Sequence, residues 1–212
     1  MSDNLVFGNP TIDIAPLLKK STYLDSLSNE INSYVPPANN STEAQNEIQA
    51  LIEYTNTLSQ NPALYSRYKL YDEKLSSIFS EKLDTVGINN TLNLINQIKE
   101  DVTTILVKTK FHFQRIRPYQ LAYYYNLPLY PFPSVSANTP SYPSGHAFIS
   151  VVIANVLGNH YPTFYKPLMV LADDICNSRL YMGLHYESDV KFGKYMAELV
   201  INHPDFKAKY KL

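Results

Sequence analysis

Three short groups of residues in this chain have the types and spacing to hold an anion. Tyr142-Pro143-Ser144-Gly145-His146 feeds directly into an apolar run over residues 147–154. A Pro at the first helical position, a small hydroxyl and a Gly ahead of such a run predict a tight turn opening a helix N-terminus, with unpaired N–H groups aimed outward. The partial positive charge there, backbone donors from Gly145 and His146, and the Ser144 hydroxyl suit a tetrahedral oxyanion of phosphate size. By itself the stretch is explained equally well as a capped helix carrying a buried His. Two further groups tip the balance. Lys110 is followed after six residues by Arg117-Pro118; Ser178-Arg179 is followed after five by His185, and after three more by Asp189. With residues 143–146 these groups fix eleven identities, which chance would supply on the order of 10⁻⁷ of the time.

The three groups resemble the signature of the type 2 phosphatidic acid phosphatase superfamily, which includes the class A nonspecific acid phosphatases and the vanadium-dependent haloperoxidases. The resemblance covers about residues 105–195. It implies an α-helical bundle with the active site set between helices. It also implies that Lys110, Arg117 and Arg179 bind the phosphate oxygens together with Ser144, Gly145 and His146. His185 would be the nucleophile, Asp189 its partner and His146 the general acid.

Elementary chemistry supports these roles. A phosphate ester is an anion whose attack by a nucleophile is opposed by charge, so cations and helix-end amides are what the transition state needs. Arg117 and Arg179 grip two oxygens each, and Lys110 supplies a point charge. Lys110 and Arg117 stand two helical turns apart and share a face, provided the helix persists to within a residue of Pro118. His185 and Asp189 are four apart, a spacing that brings a carboxylate to Nδ1 on near-helical backbone. That bond would leave Nε2 free to attack phosphorus and form a phosphohistidine. His146 would then protonate the departing alkoxide, with an acid-to-neutral pH optimum as the consequence.

Composition narrows the class of protein. At 212 residues, 45% hydrophobic and 17% charged, the chain fits one globular domain. The formal net charge of −1 argues against a nucleic-acid binder, which needs an excess of Lys and Arg. A single Cys176 permits no intrachain disulfide. The first residues lack a basic and apolar leader, and the longest apolar run is too short to span a bilayer. A soluble, cytoplasmic protein with no transmembrane segment is the expectation.

The elements that must position the three groups read as helices throughout, so the fold class is all-α. Residues 1–40 carry Pro10, Pro16, Pro36 and Pro37, which limit helices to a turn or two; they are expected to form an arm docked on a single all-α domain over 41–212. A helix is predicted from Thr42, with Gln45 completing a capping box. Others are predicted over residues 63–83, from Asn90 toward Phe113, from Ser144 to near Gly158, from near Pro167, and from Ser188 to about Asn202 as the last. Pro118 is expected to stop the third of these, leaving residues 119–142 as a long loop rich in Pro and Tyr. A loop of that length is more often functional than filler.

Other polar residues have plainer readings. Arg115 reads as solvated, with a second phosphate contact as the minor alternative. Asp173-Asp174 lacks the His spacing of a metal site, so no metal is expected. His112, His160 and His203 read as structural or surface residues. The functional expectation is a metal-independent acid phosphatase that hydrolyses a small phosphate monoester through a phosphohistidine, without a cofactor. Vanadate would be an inhibitor, or the prosthetic group if the chain is instead a vanadate-dependent haloperoxidase. Haloperoxidases of the superfamily are much longer, which favours the phosphatase. A non-catalytic phosphate-binding protein is the third reading, and homo-oligomerisation is left open.

Overall fold

The structure, a computed structural model, describes residues 5–212; residues 1–4, on which most of the expectation of no leader rests, lie outside the described residues. All regular structure among the described residues is helical, as the periodicity predicts. The elements are α1 (Ala15–Lys19), a 3-10 turn (Tyr23–Leu27), α2 (Ser28–Asn32), α3 (Thr42–Ser59), α4 (Pro62–Glu73), α5 (Leu75–Asp84), α6 (Leu92–Phe113), α7 (Pro118–Tyr124), α8 (Gly145–His160), a second 3-10 turn (Pro162–Phe164), α9 (Tyr165–Tyr181), α10 (Glu187–Asn202) and α11 (Pro204–Tyr210). No helix among them is long and apolar enough to cross a membrane.

The axis of the bundle is α8. Its residues from Ala147 to Ala154 are all buried, as are Val156 and Leu157, so it is apolar on every face and must be surrounded. Helices α9 and α10 pack along it, and α5 and α6 close the remaining sides. Gly193 on α10 brings the two backbones close: a Cβ there would stand 2.8 Å from the Ser144 carbonyl oxygen and 3.3 Å from the Phe148 nitrogen. Helix α3 lies on α9, while α1 and α2 lie on α6.

Several boundaries depart from expectation. The N-cap of α3 is Ser41, whose hydroxyl accepts from the Ala44 N–H at 3.1 Å, rather than Thr42 with Gln45. The helix predicted over 63–83 is two helices, broken at Lys74 (φ −134°, ψ 37°). No Gly or Pro marks that break, so periodicity runs straight through it. Pro118 does not stop α6. The helix ends four residues earlier, where Gln114 turns left-handed (φ 50°) and donates its N–H to the Lys110 carbonyl at 2.9 Å; Pro118 instead opens α7, where a fixed φ and a missing N–H are tolerated. The segment 119–142 is therefore helical up to Tyr124 and irregular beyond it. Pro143 is not at the first helical position: Ser144 caps α8, and Gly145 begins it. A further helix, α11, follows Asn202.

Candidate active site

A cavity of about 340 Å³ opens between the α4–α5 junction, α6 and the start of α8. Lys110, Arg117, Gly145, His146 and His185 all line it. Residues far apart in the chain, carried by α6, α8 and the turns before α7 and α10, thus meet around one space. Gly145 permits that meeting, because a Cβ on it would lie 3.2 Å from a Leu106 methyl and 3.7 Å from the Lys110 side chain.

His185 lies in the turn between α9 and α10. Its Nδ1 is 3.1 Å from Asp189 Oδ2, and its Nε2 is 2.9 Å from an Nη of Arg117. A guanidinium only donates and a carboxylate only accepts. The pair of contacts therefore fixes the tautomer with the proton on Nδ1 and the lone pair on Nε2, where it accepts from Arg117. Burial holds the His185 imidazolium well below its usual range, and the Arg117 and Lys110 charges push the same way against the pull of Asp189. Asp189 is itself deeply buried. Burial alone would raise its pKa, but Arg115, His185 and Ser141 hold it below the usual carboxylate range. Its Oδ1 accepts from Arg115 at 2.7 Å, while Oδ2 also accepts from the Tyr186 N–H at 3.0 Å and from the Ser141 hydroxyl.

The cations are anchored by main-chain oxygens as well as carboxylates. Lys110 Nζ donates to the Pro140 carbonyl at 2.6 Å, and Arg117 donates to the Thr139 and Leu184 carbonyls at 2.9 Å each. Lys110 and Arg117 do converge, but not along one helix. Arg117 is the N-cap of α7, so it reaches the cavity from beyond the left-handed turn at Gln114 that ends α6, where a shared helical face was expected. Burial lowers Lys110 well below its ordinary value, with Arg117 adding to the effect, and lowers Arg117 to about 10. An anion in the cavity would relieve both.

Arg179, Asp189 and Ser144 are not on the cavity wall. Arg179 sits behind it, pairing with Asp72 at 2.9 Å and donating to Ser136 Oγ at 3.1 Å; both partners line the cavity. Its Nε and Nη1 are buried with no partner among the described residues, as is His146 Nε2. The two unpaired Arg179 donors are costly to bury, whereas Nε2 of the neutral His146 ring is a bare acceptor. Ser144 is fully buried, its hydroxyl accepting from the Ala147 N–H at 3.4 Å and its own N–H donating to the Asp189 carbonyl at 2.9 Å. It orients the helix end rather than facing the cavity. His146 donates its other ring nitrogen to the Tyr71 carbonyl, and burial with the Arg179 charge holds its imidazolium far below the usual range.

Three site residues were not legible in the sequence. Arg115, read as solvated, is 4% exposed and bridges Asp189 to Glu47 at 3.2 Å, with its guanidinium 3.8 Å over the Tyr186 ring. Glu47, on α3, also accepts from the Ser188 N–H and hydroxyl, so it fixes the first turn of α10 that carries Asp189. Asp72, on α4, accepts from the Ser134 and Ser136 hydroxyls and the Val135 N–H as well as from Arg179. Buried acids at helical polar positions look like surface acids in a sequence. Only the RIR spacing of Arg115 beside Arg117 gave a signal. Elsewhere, Asp173 and Asp174 pair with Lys194 and Arg67. His112, His160 and His203 lie outside the cavity, against Phe113, the Tyr210 carbonyl and Ser26. Among the described residues no group of His, Cys, Asp or Glu is placed to hold a metal ion.

Comparison with known proteins sets this arrangement in context. A family model described as the PAP2 superfamily matches residues 91–203. Among solved structures, a transmembrane PAP2-type phosphatidylglycerolphosphate phosphatase from Bacillus subtilis is similar over 95% of this chain and 95% of its own, with 18% identity and a TM-score of 0.52. A bacterial vanadium-dependent iodoperoxidase is similar over 80% of this chain at 18% identity and a TM-score of 0.55, and this chain spans 51% of it. Likeness at that identity establishes a shared fold. No curated protein matches the chain.

Proposed function

We propose that this chain, which belongs to the PAP2 superfamily, is a metal-independent phosphatase that hydrolyses phosphate monoesters through a phosphohistidine. The observation that carries the reading is the His185 ring, whose Nδ1 is held by Asp189 and whose Nε2 lies beside Arg117 at the cavity wall. The phosphoryl group of the substrate would sit against Lys110, Arg117 and the first N–H groups of α8. His185 Nε2 then attacks phosphorus, the ester P–O bond breaks, and His146 Nε2 gives its proton to the leaving alkoxide. Water subsequently attacks the phosphohistidine and releases phosphate, with His146 taking the water's proton. Burial and the Arg179 charge by themselves favour the neutral ring of His146. A bound phosphate beside it favours the imidazolium.

The same donors suit vanadate, an oxyanion of like shape, and under this reading vanadate is a competitive inhibitor. The test is hydrolysis of p-nitrophenyl phosphate in EDTA across pH. Turnover is expected with an acid-to-neutral optimum, and His185→Ala is expected to lose on the order of 10³-fold or more in kcat. A His185→Ala variant as fast as the parent would remove the nucleophile assignment. A profile still rising above about pH 9 would remove His146 as the acid. Peroxide-dependent bromide oxidation by the vanadate-loaded protein, without phosphatase turnover, would move the chain to the haloperoxidase reading.

A further inference from the structure

The cavity has a second polar zone that the chemistry above does not use. Along α6, Lys99, Thr103, Leu106 and Lys110 stand four, three and four residues apart, so they form one stripe on one face. At about 1.5 Å per residue the stripe is about 16 Å long, from Lys110 at the inner end to Lys99 at the rim. Between the two ends the wall is apolar, made by Leu106 and Val107 on α6 with Leu75 and Ile149 opposite. Lys99 is exposed and makes no ion pair among the described residues. The acids nearest in the lining are already engaged: Asp72 is held by Arg179 at 2.9 Å and Glu73 by Lys69 at 3.9 Å. The Lys99 charge is nonetheless felt within the cavity, since it adds to the groups that disfavour the His146 imidazolium.

We infer that Lys99 forms a rim subsite for a second anionic group on the substrate, so that the preferred phosphate monoester carries an apolar segment next to the phosphate and a carboxylate or second phosphate at its far end. An alcohol part without a distal charge fills the apolar belt but leaves Lys99 in water. One with a distal anion reaches both ends of the stripe. The inference rests on the cavity being a phosphate-ester site, and its test separates the two ideas.

The experiment measures binding of non-hydrolysable alkyl phosphonates of increasing chain length, each compared with its ω-carboxylate and its ω-ammonium counterpart at low salt. At the best length the parent is expected to prefer the carboxylate over the plain alkyl chain by on the order of fivefold, the size of a rim ion pair. That preference should shrink as salt is added. In Lys99→Ala the ratio of the two affinities should fall to about one, and Lys99→Glu should favour the ammonium compound. A preference that survives in Lys99→Ala, or no preference at any length, overturns the subsite while leaving the phosphate cradle intact. Failure of every phosphonate to bind would overturn the cradle and the subsite together.

Discussion

At the scale of single residues, the site is governed by which hydrogen-bonding roles are forced. Arg117 cannot accept and Asp189 cannot donate, so the imidazole between them has one tautomer. In the proposed mechanism Asp189 would do more than orient the ring, because a buried carboxylate beside it would stabilise positive charge as a phosphohistidine forms. Asp189→Asn keeps the volume and one acceptor oxygen but removes that charge, and it lets an amide N–H face Nδ1. A fall in kcat of roughly 10²–10⁴-fold with KM changed much less is expected, read by steady-state kinetics on p-nitrophenyl phosphate. An unchanged kcat would mean that the Asp189–His185 contact is structural only. The pattern His185, three residues, Asp189 made this pair legible from spacing alone. The same spacing said nothing of Arg115 and Glu47, which hold Asp189 from behind, because an ion pair between residues 68 apart leaves no local trace.

At the scale of elements, precision comes from how closely α8 and α10 approach. Ser144 caps α8 and donates its N–H to the Asp189 carbonyl, so one helix end is bonded to the first turn of the other. Gly193, one turn further along α10, keeps the two backbones in contact. In Gly193→Ala the new Cβ meets backbone atoms rather than a flexible side-chain tip, so the helices must separate. A stability loss of about 1–3 kcal/mol in urea unfolding is expected, together with a drop in kcat that persists at temperatures where the variant is fully folded. Wild-type kcat in the folded variant would show that the α8–α10 distance does not set the site. Helix existence was legible here from apolar periodicity. The ends were not: the break at Lys74 and the left-handed Gln114 carry no Gly or Pro, and tertiary contacts override local propensity at both.

At the scale of the whole molecule, the fold holds a cavity whose cations outnumber its carboxylates and whose two histidines are kept neutral by burial. The sign of the pH dependence follows. Below the ordinary histidine value of 6.5 the unfolded chain binds protons that the native chain refuses, so stability falls as pH drops through 6.5 toward the depressed native values. An oxyanion in the cavity favours the charged ring of His146 and offsets part of that loss. Millimolar sulfate, whose charge is constant over this range, is therefore expected to raise Tm more at about pH 5 than at about pH 7.5. The gain should be largely lost in Lys110→Met; an equal gain in that variant would place sulfate elsewhere.

The sequence by itself determined the all-α class and singled out Lys110, Arg117, Gly145, His146 and His185, which line one cavity, because apolar periodicity and short motifs are local properties of a chain. Only the tertiary structure decided that Arg117 meets Lys110 from beyond the end of α6, that Arg179 pairs with Asp72 behind the cavity wall, and that Arg115 with Glu47 buttresses Asp189. Those pairings join residues tens of positions apart. Their strength comes from the burial of charge, which no run of neighbouring residues encodes.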